Sequence, residues 1–441
     1  MSAPQRRAGA PDQTPDGMGA PLRIVRLANF VTPSSGGLRT ALRELGAGYR
    51  AAGHEPVLVV PGAHASDELT PQGRVITVPG PQVPGTGGYR VLTDRRRLSR
   101  LLDGLAPDRL EVSDRTTLRW TGEWARRARV PSVMVSHESA DGVLRTWGVP
   151  EAAARRAADR LNVRTARAYS RIVCTTEWAA REFVRIGARN VVRAPLGVDL
   201  DHFRPAHRDP ALRDRHRGGA AVLLVMCSRL SPEKRPGRAL DALAELGRRG
   251  VRAALVVAGD GPLRPRLEAR ARAEGLPAAF LGHVADRGTL AALQASADVV
   301  LAPGPAETFG LAALEALACG TPVVVSELSA LPAIVGAAGA TAADHGAAFA
   351  DAVEHVLSRP EPIRRAAARA RAERYSWPEA VAAFLAAHDA QPVHDVSPVH
   401  GGSLVSGDVS VRDRRTDGAP SSEASARADG LPVGPAAGTG R

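Results

Sequence analysis

Short apolar runs alternate with longer mixed segments along most of this chain. The runs are rich in Val, Leu and Ile and have the length of buried strands, while the segments between them have the apolar spacing of amphipathic helices. This alternation predicts an α/β protein with parallel sheets. Predicted strands in the first half are 22–29, 56–60, 133–136 and 171–175, with a helix at 38–52, and those in the second half are 221–230, 253–258, 279–282, 299–303 and 322–326.

The strand–helix pattern starts near residue 21 and restarts near residue 221. The charged segment 205–219, interrupted by Gly and Pro, is the predicted linker. We therefore predict two doubly wound Rossmann-like domains, at 21–204 and 205–390. Residues 1–20 and 391–441 are rich in Gly, Pro, Ser, Ala and Asp without periodicity, and we predict that both are disordered tails.

Composition excludes several classes of protein. The 441 residues are 44% hydrophobic and 24% charged, which excludes a wholly disordered chain, a collagen and a small disulfide scaffold. We find no apolar run near the ~18 residues of a membrane span and no apolar core of a signal peptide, so we expect a cytoplasmic protein. Cys174, Cys227 and Cys319 lack metal-type spacing and are expected to be buried free thiols.

The positive charge is concentrated in the first half. Of the net charge of +12, residues 1–200 carry +11 and residues 201–441 carry +1. This asymmetry favours an anionic partner for the first half, either nucleic acid or an anionic membrane. Aromatic residues make up only 4% of the chain, which disfavours base stacking. Lys234 is the only lysine among 58 basic residues, so a compact ammonium is expected to be needed there.

Two features of the first half are candidates for ligand contact. Gly36 and Gly37 lie between the first strand and the first helix, where the backbone can approach an anion; a simple tight turn explains them equally well. They do not form G-x-G-x-x-G, and no acidic residue closes the second strand, so a nicotinamide cofactor is disfavoured. His137 follows a strand and would face the crevice at the carboxyl edge of the sheet, or be structural.

The second half offers two cations and two carboxylates. Arg229 and Lys234 follow its first strand and form a candidate diphosphate clamp, or a solvated charged pair. Glu307 and Glu315 lie eight residues apart, with a helix expected from about Phe309. A mostly helical path separates them by roughly 12 Å, more than the roughly 5–9.5 Å of a glycosidase pair. They are therefore predicted to make two separate contacts with one extended ligand.

The predicted helix EAAARRAADRLNVRTARAY carries a basic stripe. Its members have helical spacing and are Arg156, Arg160, Arg164 and Arg167. The stripe is either a solvated face or a docking surface for anionic headgroups.

Taken together, these residues resemble retaining glycosyltransferases of the family-4 type, which have the GT-B fold. The resemblance covers about residues 22–390, and its most specific element is the E-x7-E motif formed by Glu307 and Glu315 together with Arg229 and Lys234. The strings ANFVTPSSGGLRTAL, PGTGGYRVLTDRRR, LEVSDRTTLRW, VSHES, PLGVDLDHFRP, AGDGPLR and LAPGPAETFGLAALEALACGTPVV are similar to those of GDP-mannose-dependent phosphatidylinositol dimannoside α-1,6-mannosyltransferases. The fold implies two domains facing each other across a cleft, with a last helix at about 376–390 packed back on the first domain.

The resemblance also implies a role for each site residue. Arg229 and Lys234 would bind the donor diphosphate, Glu307 the hydroxyls of the transferred sugar, and Glu315 the ribose. The remaining donor contacts would be Gly36 and Gly37 beside the diphosphate, His137 beside the sugar, Gly282 and His283 facing the base, and the backbone of Phe309, Gly310 and Leu311 facing phosphate and sugar.

The implied partners are a nucleotide sugar, a phosphatidylinositol mannoside and an anionic membrane surface, without nucleic acid. The enzyme would lie peripherally on the inner face of the cell membrane, with no cofactor and no essential metal. Three alternatives remain open: a soluble inositol or sugar-phosphate acceptor, a nucleotide-sugar epimerase, and a non-catalytic membrane partner of another transferase. The full set of His137, Arg229, Lys234 and both glutamates disfavours the last alternative.

Overall fold

The computed structural model describes residues 20–31, 36–83, 88–137, 139–146 and 148–393. Within these ranges the chain forms two sheets, one before and one after residue 205. The predicted disordered tails lie outside the described residues, apart from residues 20 and 391–393.

In the described residues the first sheet has eight strands, in the order β3-β4-β2-β1-β5-β6-β7-β8, and all neighbours are parallel except the β3–β4 hairpin at one edge. The strands are β1 (Arg23–Leu27), β2 (Glu55–Gly62), β3 (Ser66–Thr70), β4 (Gly73–Pro79), β5 (Arg109–Val112), β6 (Ser132–Ser136), β7 (Arg171–Cys174) and β8 (Val191–Arg193). The helices are α1 (Gly37–Ala51), α2 (Arg95–Leu105), α3 (Trp120–Ala128), α4 (Ala140–Thr146), α5 (Glu151–Ala168) and α6 (Glu177–Arg185).

The second sheet is parallel throughout its described strands, in the order β11-β10-β9-β12-β13-β14. The strands are β9 (Val222–Cys227), β10 (Ala253–Ala258), β11 (Ala278–Gly282), β12 (Val299–Ala302), β13 (Val323–Ser326) and β14 (Ala340–Ala342). The helices are α7 (Pro210–Arg217), α8 (Gly237–Arg248), α9 (Arg264–Ala273), α10 (Arg287–Ser296), α11 (Leu311–Ala318), α12 (Leu331–Val335), α13 (Gly346–Leu357), α14 (Glu361–Ala372) and α15 (Trp377–Ala387).

Each sheet is buried on both faces, which explains why its strands are continuous apolar runs in the sequence. Neighbouring residues of one strand enter different cores: Ile24 and Val25 of β1 do so, as do Leu223 and Leu224 of β9. Helices therefore cover both faces of each sheet, as expected for doubly wound domains. The predicted strands agree with the observed ones to within three residues at each end.

The prediction of a plain linker at 205–219 is wrong. This segment contains a 3-10 turn, Pro205–His207, followed by α7. Asp209 caps α7 by accepting a hydrogen bond from the Leu212 amide, and Arg213 pairs with the buried carboxylate of Asp298 at 2.8 Å. The charges that suggested an exposed linker are thus partners in a packed helix.

The chain crosses between the two domains twice, and the crossings touch. Val198 pairs with Ser376 in a parallel bridge, and the Val198 amide donates to the Tyr375 carbonyl. A Cβ on Gly197 would lie 2.5 Å from the Trp377 amide nitrogen, so only glycine fits at this contact. The second crossing leads into α15, which packs against α1 of the first domain.

A buried ionic cluster joins α15 to the centre of the first sheet. Glu111 on β5 accepts from Arg26 on β1 at 2.8 Å and from the Tyr49 hydroxyl of α1 at 2.7 Å. His388, just after α15, places Nε2 3.1 Å from the same carboxylate. The Arg26 and Glu111 side chains are 2% and 1% exposed. Burial by itself would raise the pKa of Glu111, but Arg26 and His388 together hold this pKa well below its usual range.

We expect Glu111→Gln to lower the free energy of unfolding by about 3–5 kcal/mol, because it leaves the Arg26 charge buried without an anion. Denaturant unfolding at neutral pH measures the difference. Asp67→Asn is the matched control: it breaks another arginine–carboxylate pair, Asp67–Arg74, but on the exposed β3–β4 edge, and should leave the free energy of unfolding nearly unchanged. Equal losses in the two variants would contradict the role of burial.

Candidate functional site

The topology places two loops of the second domain side by side. Strand order reverses between β9 and β12, which are neighbours in the sheet although far apart in the chain. Loops that follow the strands on either side of such a reversal flank a crevice, which is where open α/β sheets bind ligands. The loop after β9 carries Arg229 and Lys234, and the loop after β12 carries Glu307.

An ion pair joins these two loops. Lys234 Nζ lies 2.5 Å from Glu307 Oε1, and both side chains are about one-fifth exposed. Arg229 pairs instead with Glu233 at 2.9 Å, and this second pair is more exposed. An ammonium has three N–H donors, so Lys234 retains donors for an anion while it holds Glu307.

The helix that follows Glu307 begins at Leu311, two residues later than predicted. Gly310 has a φ of +70°, and a Cβ there would lie 2.3 Å from Leu331 Cδ2, so the left-handed turn at this residue delays the helix. Only the second half of the segment between Glu307 and Glu315 is helical, which removes the basis of the predicted separation of roughly 12 Å. Helix α11 has no side-chain cap, so its first amides remain available to an anion.

The first domain brings a second helix N-terminus to the same place. Gly37 is the first residue of α1, and a Cβ on it would lie 3.7 Å from Cδ1 of Leu311, the first residue of α11. Gly36 precedes Gly37 and is exposed, and a Cβ on it would meet open space. The positive ends of two helix dipoles therefore meet at the end of the loop that carries Glu307, the partner of Lys234, and together they favour an anionic ligand.

His137 contacts the Glu307 loop from the first domain. It follows β6 directly, its Nε2 is 3.2 Å from Ser113 Oγ, and its carbonyl accepts a hydrogen bond from the Thr308 hydroxyl. Burial lowers the pKa of His137 to about 4, although the Glu111 charge opposes this shift. The imidazole is therefore neutral at physiological pH and can act as a hydrogen-bonding group without charge.

Glu315 lies half-buried on α11, among mixed charges. Burial raises its pKa to about 7, while Arg287 and, more weakly, Arg43 lower it. Phe309 and Leu311 are buried, and their side chains belong to the hydrophobic core.

Gly282 and His283 stand apart from this cluster. They end β11 at the outer edge of the sheet, and β10 lies between β11 and β9. Gly282 is buried with a φ of +73°, and His283 is exposed. The structure thus places them at the carboxyl edge of the same sheet, further along the crevice.

The basic stripe lies on the outer face of α5. All four members, Arg156, Arg160, Arg164 and Arg167, are exposed, whereas Ala154, Ala158, Asn162, Thr165 and Ala168 on the other face are buried. Among the described residues, no acidic side chain pairs with any of the four. Their charge is available to a partner outside the chain.

Sequence reasoning missed Thr308, Ser113 and Tyr89. The first two bond His137, and Tyr89 stacks on Arg229 with the guanidinium carbon 5.7 Å from the ring centroid. Thr308 lies between Glu307 and Phe309, and Tyr89 lies in the string PGTGGYRVLTDRRR, so both belong to segments that carry the family resemblance. Their pairing across the cleft leaves no signal in a single sequence.

The cysteines are free, as expected, although Cys227 is only half-buried. Burial raises the pKa of each thiol to about 12. In the described ranges no helix is long and apolar enough to cross a membrane. The same ranges hold no group of three or more His, Cys, Asp or Glu side chains suited to a metal ion.

Comparison with known proteins decides the family. Residues 213–374 match the model for glycosyl transferases group 1, and residues 36–199 match the glycosyl transferase 4-like domain. The GDP-mannose-dependent alpha-(1-6)-phosphatidylinositol dimannoside mannosyltransferase of Mycobacterium tuberculosis is 51% identical over 84% of this chain and 97% of its own length. The chain belongs to the group 1 glycosyltransferases.

Further relatives of this glycosyltransferase are more distant. The GDP-mannose-dependent alpha-mannosyltransferase of Mycobacterium tuberculosis is 29% identical over 69% of this chain and 79% of its own. Among solved structures, Anabaena Alr3699/HepE in complex with UDP matches with a TM-score of 0.64 and 18% identity, covering 83% of this chain and 100% of that one. Sucrose-phosphate synthase of Thermosynechococcus elongatus matches with a TM-score of 0.64 and 20% identity, covering 82% and 97%. These structures confirm the predicted GT-B architecture of two Rossmann-like domains.

The raised pKa of Glu315 in this glycosyltransferase predicts a pH-dependent stability. A glutamate in the unfolded chain has a pKa of about 4.3, so the folded state holds this proton more tightly. The stability from Glu315 is therefore full below pH about 4.3 and is lost as pH rises through about 7. Thermal unfolding without nucleotide should show Glu315→Gln gaining Tm relative to the wild type between pH 5 and pH 8.

The control for this measurement is Glu274→Gln, which changes an exposed glutamate paired with Arg270 just after α9. A Tm difference between Glu315→Gln and the wild type that stays constant from pH 5 to pH 8 would contradict the raised pKa.

Proposed function

We propose that this glycosyltransferase moves mannose from GDP-mannose to a phosphatidylinositol dimannoside, forming an α-1,6 linkage with retention at the anomeric carbon. The observation that carries the proposal is the 51% identity with the Mycobacterium tuberculosis enzyme over 97% of that enzyme's length. The site supports it because cations and two helix N-termini converge where a diphosphate has to be bound.

The chemistry requires stabilisation of the departing nucleotide. The bond from the sugar C1 to the β-phosphate oxygen breaks, a bond from C1 to the acceptor hydroxyl oxygen forms on the same face, and the hydroxyl proton passes to the departing phosphate. Arg229 and Lys234 bind the diphosphate as its negative charge grows, together with the amides at the starts of α1 and α11. Such preorganised charges commonly contribute the largest part of catalysis.

The carboxylates and the histidine orient the donor. Glu307, held by Lys234, accepts hydrogen bonds from the mannose hydroxyls. Neutral His137 contacts the sugar near C1, where a second positive charge would oppose a transition state with positive character at that carbon. Glu315 binds the ribose, and the end of β11 at Gly282 and His283 faces the base.

We also propose that the reaction needs no cofactor and no bound metal, because Arg229 and Lys234 supply the positive charge that a divalent cation supplies in other transferases. Transfer is therefore assayed with and without a chelator. Loss of activity in the chelator would overturn this part of the proposal.

The acceptor and the membrane face the basic first domain. The unpaired stripe on α5 is the proposed contact with anionic headgroups at the inner face of the membrane. A second exposed basic set lies at the start of α2, beside a cavity of about 430 Å³ between α2 and the β3–β4 hairpin. Its members are Arg95, Arg96, Arg97 and Arg100.

The first experiment is mass spectrometry of lipids after incubation of the protein with phosphatidylinositol dimannoside and one of GDP-mannose, UDP-glucose or UDP-N-acetylglucosamine. Gain of one hexose with GDP-mannose alone supports the proposal. Gain of a hexose with a UDP-sugar would overturn GDP-mannose as the donor. Isomerisation of the donor without acceptor would indicate an epimerase.

A soluble acceptor is the second candidate. The D-inositol 3-phosphate glycosyltransferase of Saccharomonospora viridis is 35% identical over 47% of this chain. An added arm with D-inositol 3-phosphate tests it, and a glycosylated inositol phosphate without lipid product would favour this candidate.

Glu307→Gln tests the placement of the sugar. We expect transfer to fall at least about 100-fold, since the neutral amide loses both the charge and one acceptor for sugar hydroxyls, while the Kd for GDP changes less than about threefold. Steady-state transfer and calorimetric titration with GDP measure the two quantities. Unchanged turnover would contradict this role of Glu307.

Charge reversal of Arg156, Arg160 and Arg164 to Glu tests the membrane surface. Each cation near an anionic surface contributes about 1 kcal/mol, so binding to phosphatidylinositol-containing vesicles should weaken about 100-fold or more. The matched control reverses Arg215, Arg266 and Arg272, which are exposed on the second domain. Equal binding by the two triple variants would make the α5 stripe a solvated face, and sedimentation with vesicles measures both.

A further inference from the structure

Tyr89 contacts the donor-binding loop from the opposite domain. Its ring lies 5.7 Å from the guanidinium carbon of Arg229, within the range of a cation–π contact. Tyr89 comes from the segment between β4 and α2 in the first domain, whereas Arg229 follows β9 in the second. This contact therefore joins the two domains across the cleft.

The segment that carries Tyr89 is held in place from several sides. The Tyr89 carbonyl accepts from the Val83 amide at 2.8 Å, and an antiparallel bridge joins the residues on either side of this pair. The Leu92 amide donates to the Asn29 side chain, which ties the segment to the end of β1. A short antiparallel ladder thus presents Tyr89 to the cleft.

Phe30 supports the ring of Tyr89. The two rings meet edge to face, with centroids 6.1 Å apart and planes at 72°. Phe30 adopts a φ of +58°, a left-handed conformation that non-glycine residues adopt at a cost. The surrounding structure maintains this strained backbone, and its consequence is a second aromatic ring behind Tyr89.

The two partners of Arg229 have different consequences for anion binding. A carboxylate such as Glu233 occupies the N–H edge of the guanidinium, which is the edge that binds phosphate. An aromatic ring covers the flat face and leaves the N–H donors free. It also excludes water from that face, which strengthens the attraction between the cation and an anion.

We propose that Tyr89 is a positioning residue: its ring packs against the flat face of the Arg229 guanidinium, so that the N–H edge of the guanidinium is presented to the donor diphosphate. This inference rests on the proposed role of Arg229 in binding the diphosphate. It makes assembly of the clamp dependent on the first domain, although both cations of the clamp, Arg229 and Lys234, lie on the second.

The test is a double-mutant cycle between Tyr89 and Arg229. GDP release from GDP-mannose without acceptor is measured for the wild type, Tyr89→Leu, Arg229→Lys and the double variant. We expect Tyr89→Leu to lower kcat/KM about 5- to 30-fold, and to lower it less than about twofold further once Arg229 is replaced. Tyr89→Phe keeps the ring and should restore the rate to within about twofold of the wild type.

The matched control is Trp120→Leu, which removes another arginine–aromatic stack of the first domain, Arg95 on Trp120 at 5.8 Å. It should change GDP release less than about twofold. Thermal unfolding of every variant accompanies the cycle.

The inference would be overturned if the losses of kcat/KM from the Tyr89 and Arg229 substitutions simply multiply in the double variant. Unchanged GDP release with a higher KM for the lipid acceptor would also overturn it, because Tyr89 would then contact the acceptor. The same double-mutant cycle is repeated with the Kd for GDP as the measured quantity. If the protein is inactive with GDP-mannose, the proposed donor is overturned, but the coupling between Tyr89 and Arg229 in GDP binding still decides the role of Tyr89.

Discussion

The buried carboxylate of Glu111 anchors the arrangement on which the site depends. It joins β1, β5, α1 and the residue after α15 through four side chains, and water does not compete for it. Because α15 belongs to the chain's second crossing between domains, this cluster attaches the end of the second domain to the centre of the first. Because the cluster is buried, breaking this attachment is strongly destabilising, since a buried ion without its partner is far costlier than an exposed one.

The cluster around Glu111 also determines the geometry of the cleft. The strands β1 and β5 that share the cluster lead directly to Asn29 and Ser113, which orient the Tyr89 segment and His137 respectively. The reversal of strand order beside β9 brings Lys234 and Glu307 together from the other side. Each domain thus contributes an uncapped helix N-terminus, and the two meet at Gly37 and Leu311. A phosphate-bearing ligand fits between them for electrostatic reasons that do not depend on the identity of its sugar.

The sequence predictions were most accurate for strands in which every residue is buried and apolar. The strand at 253–258 was predicted without error because all its residues are buried and apolar. Strand β5 was missed because RLEV contains two charged residues, Arg109 and Glu111. Only the pairing of Glu111 with Arg26 makes the buried carboxylate tolerable. The helix in the predicted linker was missed for a related reason: Arg213 looks solvated in the sequence, but Asp298 neutralises it.

The sequence by itself determined the alternation of strands and helices, the division into two domains, and the family, since the E-x7-E motif and the cations are local patterns. It also determined which groups could bind an anion, because residue type alone limits that chemistry. Only the tertiary structure decided which of these groups meet: Lys234 with Glu307, Thr308 with His137, and Tyr89 with Arg229. Such contacts join residues that are 73, 171 and about 140 positions apart, and periodicity within a window of a few turns carries no information on pairs so distant.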